Sequence, residues 1–81
     1  MSEMITFVVD KFVDENVPNE LAIIDAVSNI TALLEGMDLK YKTNWEFDSS
    51  GYTSDGKKVL YIEFKDAGEA MLARLNGLAN G

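Results

Sequence analysis

Apolar residues recur in five blocks along the chain, and their spacing predicts strand, helix, strand, strand, helix. From Met4 to Val9, Ile5, Phe7 and Val9 point one way while Met4, Thr6 and Val8 point the other, a strand with both faces largely apolar. Phe12 and Val13 are expected to extend it before Asp14-Glu15-Asn16 breaks the run. Ile23, Val27, Ile30 and Leu34 then define one stripe of a helix, flanked by Ala26 and Leu33 on one side and Ile24 on the other. Asp25, Ser28, Asn29, Ala32 and Glu35 fall opposite. Pro18 suits the first helical turn, Asn16 its cap and Gly36 its end.

The cleanest alternation comes next. Leu39, Tyr41, Thr43, Trp45 and Phe47 interleave with Lys40, Lys42, Asn44, Glu46 and Asp48, the pattern of a strand with one packed and one wet face. Trp45 and Tyr41 are therefore expected in the core. Ser49-Ser50-Gly51 interrupts this strand as a bulge or irregular stretch, and Asp55-Gly56 reads as a two-residue hairpin turn. Lys57 to Lys65 returns with Leu60, Ile62 and Phe64 inward and Val59, Tyr61 and Glu63 outward. Without a bulge, Phe47 would face Phe64. Asp66 and Glu69 have capping-box spacing and open a second helix whose buried face is expected from Met71, Leu72, Leu75, Leu78 and Ala79. Asn76-Gly77 weakens its end.

These elements predict a single α+β domain over residues 1–81, a ferredoxin-like β-α-β-β-α two-layer sandwich. Two helices cover one face of a three-stranded antiparallel sheet. A right-handed crossover puts the first strand beside the third, giving sheet order 1-3-2 and leaving an open apolar edge on the first strand.

Charge modifies this picture. The formal net charge is −7, and residues 1–39 carry eight acids against one lysine, whereas residues 40–65 carry five lysines against four acids. Bulk charge thus repels nucleic acid, while the hairpin region is locally near neutral. The absence of cysteine fits a reducing compartment, and a cytoplasmic location is the expectation. No apolar run approaches the roughly eighteen residues of a membrane span, and the N-terminal residues lack the basic and apolar segments of an export signal.

Chemistry is constrained by what is missing. Without His and Cys the chain lacks the commonest general base, the thiolate nucleophile and most transition-metal ligands. Asp10, Asp14 and Glu15 cluster near the first loop without the ligand spacing of a calcium loop. Glu46 and Glu63 would share an open sheet face with no pocket to tune a catalytic pair. Ser49, Ser50 and Ser54 have no base, and Gly51 and Gly56 belong to hairpin geometry. The expectation is a protein without catalytic residues, metal or cofactor.

Lys57-Lys58-Val59-Leu60-Tyr61-Ile62-Glu63-Phe64 resembles the central-strand motif of the RNA recognition motif family, and Ala70 with Leu75-Asn76-Gly77 is similar to the helix that follows it. The element order also matches the first five elements of that fold. The resemblance implies bases stacking on Tyr61, with Lys57, Lys40 and Lys42 supplying charge. Val59 and Thr6 stand where further aromatic rings belong, Leu60 where a small residue is usual, and no fourth strand follows.

Three binding functions compete. The leading one is a protein-interaction module, either a small regulator or inhibitor or a self-assembling subunit. It would bind a protein partner or a second copy through the open edge or sheet face formed by Met4, Thr6, Val8, Val59 and Tyr61. The second is single-stranded RNA binding through the same face, disfavoured by bulk charge. The third is an acidic nucleic-acid mimic built from Asp10, Asp14, Glu15, Glu20, Asp25, Glu35 and Asp38.

Overall fold

The structure is a computed structural model and describes residues 2–76. It shows an α+β fold in which β1 (Glu3–Val8), α1 (Ala22–Gly36), β2 (Trp45–Tyr52), β3 (Lys58–Phe64) and α2 (Ala67–Leu75) follow one another. The sheet is antiparallel and open, with order β1-β3-β2. β1 pairs with β3 from Glu3 opposite Phe64 to Val8 opposite Val59. Ile5, Phe7, Leu60, Ile62 and Phe64 join Ala26, Ile30 and Leu34 of α1 and Ala70 and Ala73 of α2 in one core, so both helices cover the same face. No helix among the described residues is long and apolar enough to cross a membrane.

Several elements depart from the sequence pattern, each for a local reason. β1 stops at Val8, and Val9–Phe12 coil into a 3-10 turn that still buries Val9 and Phe12. Asn16 does not cap α1. Its backbone N–H donates to the Asp14 carboxylate at 3.2 Å, and a short 3-10 turn over Asn19–Leu21 leads into the helix instead. The buried stripe of α1 is centred on Ala26, Ile30 and Leu34, which turns Ile23 and Val27 to the margin and leaves Ile24 and Leu33 exposed. At the C-terminus Gly36 is the last helical residue, but Asp38 takes the left-handed conformation at φ 64°. The N–H of Leu39 returns to the Leu34 carbonyl and that of Asp38 to the Glu35 carbonyl, the paired bonds of a Schellman cap.

The largest correction concerns residues 39–44, which alternate like a strand yet form a tight loop. Leu39 completes the helix cap and is buried, while Lys42 is left-handed at φ 70°, outside the β region of a regular strand. The loop supplies its own bonds: Lys42 N–H donates to the Trp45 carbonyl at 2.7 Å and Asn44 N–H to the Lys40 carbonyl at 2.8 Å. Trp45 is fully buried and its indole N–H donates to the Leu39 carbonyl at 3.0 Å, closing the loop from inside. Tyr41, expected in the core, is exposed and packs a tilted ring against Trp45.

The hairpin also differs. Gly56 N–H donates to the Thr53 carbonyl and Thr53 N–H to the Lys57 carbonyl, so Ser54, Asp55 and Gly56 form the loop, with Gly56 left-handed at φ 86°. A second irregularity lies between Phe47 and Ser49, where Asp48 is the extra residue. Together they shift the pairing so that Phe47 faces Ile62 and Trp45 faces Phe64. Because the two shifts add to an even number, the packed face of β2 is preserved.

α2 is rolled relative to expectation. Ala70 and Ala73 are buried, whereas Met71, Leu72 and Leu75 are exposed; Leu78 and Ala79 lie outside the described residues. Asp66 caps the helix through Gly68 N–H at 3.0 Å, but Glu69 does not complete a capping box. Its carboxylate accepts from Asn44 Nδ2 at 2.7 Å. That bond and the Arg74–Glu3 ion pair at 3.3 Å hold the two flanks of α2 over opposite sides of the sheet.

Candidate interaction surface

The two edges of the sheet differ. β2 carries Glu46, the irregularity at Asp48, and Ser49, Ser50 and Gly51, features that blunt an edge against pairing. β1 reads Glu-Met-Ile-Thr-Phe-Val over six residues, with no Pro, no Lys and no bulge. Its one charge, Glu3, is engaged by Arg74. Among the described residues nothing pairs with its outer side.

The sheet face away from the helices follows from the register. Met4, Glu63 and Glu46 form one row; Thr6, Tyr61 and Ser49 the next; Val8, Val59 and Gly51 the last. Of the five residues assigned to interaction, Met4 is 45 % exposed and Thr6 and Tyr61 are half-buried. Val8 and Val59 are only 6 % and 1 % exposed, buried within the chain and outside the helix-covered core, so they offer a partner little surface. The accessible part of this face is therefore Met4, Thr6 and Tyr61 rather than the two valines.

Tyr61 leans onto β2: a Cβ at Gly51 would lie 3.1 Å from its Cε2 and Oη. The cations expected to serve it are not gathered around it. Lys57 sits at the hairpin, whereas Lys40 and Lys42 lie in the loop before Trp45, separated by the length of β2, roughly 25 Å. Glu46 and Glu63 stand directly opposite each other on the same face. A groove of about 380 Å³ at the hairpin end brings Lys57 and Lys58 beside Asp10 and Asn19, a mixed lining that selects neither ion sign.

The acidic residues are dispersed as well. Asp14 and Asp25 tie the first loop to α1, since Asp25 Oδ2 accepts from Asp14 N–H at 3.4 Å and from Asn29 Nδ2 at 3.2 Å. Asp10, Glu15 and Glu20 are exposed around that end. Glu35 and Asp38 are exposed at the other end of α1, roughly 20 Å away. No three potential metal ligands converge among the described residues. Among the described residues the one clearly shifted carboxyl is Asp55, held below the usual carboxylate value by the Thr53 hydroxyl that donates to it.

The feature that the sequence pattern missed is the outward stripe of α2. Met71, Leu72 and Leu75 are 57 %, 41 % and 77 % exposed. Ala70 and Ala73, three apart and small, were the available signal: close packing of α2 on the sheet selects the faces with the smallest side chains. No family model matches the chain, and no curated protein or solved structure is significantly similar to it.

Proposed function

We propose that this domain is a protein-binding module that recruits an extended strand of its partner along the outer edge of β1, and that it acts by binding rather than by catalysis. The observation that carries this reading is the asymmetry of the two edges: β2 is blunted and β1 is not. Main-chain N–H and C=O groups along such an edge supply affinity, and alternate side chains supply selectivity. The β1-β3-β2 order of the described residues is consistent with a ferredoxin-like arrangement in which the outer side of β1 is the position of a further strand. A right-handed crossover from β3 through α2 would deliver a further strand to the outer side of β1, the slot a partner strand would take. The lack of His and Cys anywhere in the chain supports a non-catalytic role.

The test places lysines on the edge without touching the helix-packed face. The Met4→Lys, Thr6→Lys double variant and, separately, Tyr61→Ala are compared with the native chain in affinity capture from the source cells and in sedimentation. Strand addition predicts that a bound partner or a self-association is lost in the lysine variant and kept in Tyr61→Ala. A native chain that retains nothing and sediments as a monomer would overturn the reading, as would binding indifferent to the lysines.

A further inference from the structure

The start of α1 carries apolar surface on the side away from the core. Ala26, Ile30 and Leu34 face inward, and helical spacing sets Leu21, Ile24, Asp25 and Ser28 on the far side, at i, i+3, i+4 and i+7. Leu21 and Ile24 are 49 % and 66 % exposed. With Val17 and Pro18 of the preceding turn they line a groove of about 420 Å³, within the roughly 300–1,000 Å³ of binding pockets. The turn that makes the second wall is held by its own bonds. Val17 N–H donates to the Asp14 carbonyl at 3.1 Å, Leu21 N–H to the Pro18 carbonyl at 2.9 Å, and Asp14 N–H to the Asp25 carboxylate at 3.4 Å. A groove already formed costs an incoming segment little further ordering.

Carboxylates rim this apolar floor. Asp25 lines it, Asp14 is bonded to Asp25, and the exposed Glu15 and Glu20 adjoin the lining residues Asn16 and Leu21. Between Lys11 and Lys40 the chain has six acids and no basic residue. The one ion pair among the described residues, Arg74–Glu3, joins α2 to β1, so no lysine or arginine pairs with the acids of the groove.

We infer that this groove takes a basic amphipathic helix of a partner protein. Its apolar side chains fill the space between the turn and α1, and its lysines or arginines face Asp14, Glu15, Glu20 and Asp25. The lining from Leu21 to Ser28 runs roughly 10 Å along α1, a length that two turns of a partner helix match. Charge complementarity selects the sign of the occupant. A second copy brings the same net charge of −7, and an anionic membrane or a nucleic acid is repelled by the rim. The groove lies on α1 and the loop before it, apart from the outer edge of β1, so it stands whether or not a strand adds there.

Titration of a labelled synthetic peptide, with leucines at i, i+3, i+4 and i+7 and lysines elsewhere, into the whole chain at about 50 mM salt tests this. Fluorescence anisotropy should show saturable binding, and NMR amide shifts should cluster in residues 16–28. Leu21→Ser combined with Ile24→Ser should weaken binding by about tenfold or more, because the apolar contact is lost. Ile24→Ser alone should act in the same direction and serves if the double variant does not fold, which circular dichroism checks. Glu20→Lys should weaken binding severalfold. Glu35→Lys, the same charge change at the other end of α1, and Leu33→Ser, an exposed apolar site on another flank, should leave it nearly unchanged. No binding at about 1 mM peptide overturns the proposal. So do affinities that ignore the serines or fall equally in Glu20→Lys and Glu35→Lys. Shifts in residues 16–28 that grow as the chain alone is concentrated would give the groove to a second copy. Binding to phosphatidylcholine vesicles that the serines abolish would give it to a membrane, and either result overturns the basic partner.

Discussion

The carboxamide of Asn44 donates from Nδ2 to the Glu69 carboxylate at 2.7 Å, while its Oδ1 accepts the backbone N–H of Lys40 at 2.8 Å. One side chain thus holds the 39–44 loop closed and fastens it to α2. With each bond contributing about 1 kcal/mol, Asn44→Ala should destabilise the fold by about 2 kcal/mol and Glu69→Ala by about half that. The double variant should cost less than the sum, since both changes remove the same bond. Urea unfolding of the four proteins checks this, and strict additivity would show that the contact contributes nothing.

The roll of α2 predicts opposite responses to substitution on its two sides. Ala73 is fully buried, so Ala73→Leu overpacks the core and should cost about 1–3 kcal/mol. Leu75→Ser removes an exposed side chain and should change stability by no more than about 0.5 kcal/mol. The reverse ranking in thermal unfolding would mean that the leucines, not the alanines, face the sheet.

Three backbone positions carry a sign that residue type alone does not reveal. Asp38 sits at φ 64°, where a side chain costs about 1 kcal/mol, so Asp38→Gly should raise stability by about that amount. Gly36 is helical with open space where a Cβ would go, so Gly36→Ala should gain a similar amount. Gly56→Ala, at φ 86°, should lose stability. Chemical denaturation midpoints order the three.

Asp55 predicts a small acid-side effect. Its folded carboxyl titrates below the ordinary value of 3.8 because Thr53 donates to the charged form. A carboxyl depressed on folding contributes stability that is fully present above the unfolded value and is lost as pH falls through the folded one. The contribution therefore disappears below about pH 4. Thr53→Val should return the Asp55 titration, followed by NMR, toward the ordinary value and flatten the stability profile in that window.

The exposed sheet face predicts no useful affinity for single-stranded RNA. Glu46 and Glu63 oppose each other on it, and the lysines lie at its two ends. Titration with an oligonucleotide at about 50 mM salt should show no binding. Binding that is abolished by Tyr61→Ala would restore the base-stacking function implied by the resemblance of the third strand.

The sequence by itself determined the order of elements, the sheet order and the cap at Asp66, because each rests on short-range periodicity or a chirality rule. It also determined the inward set Leu60, Ile62 and Phe64, the absence of His and Cys, and the unguarded composition of β1. Tertiary structure decided the rest. Residues 39–44 alternate, but a Schellman cap at one end and the buried indole of Trp45 at the other leave too little span for a strand, so the alternation marks a loop. Asp55-Gly56 signals a turn, yet only the cross-strand bonds of Thr53 and Lys57 set its length. The roll of α2 did not follow from the spacing of its large apolar residues: the small Ala70 and Ala73 go inward, with the Asn44–Glu69 and Arg74–Glu3 contacts fixing the roll. That roll leaves Met71 and Leu75 exposed. The open edge was legible as composition; the exposed helix face came from packing.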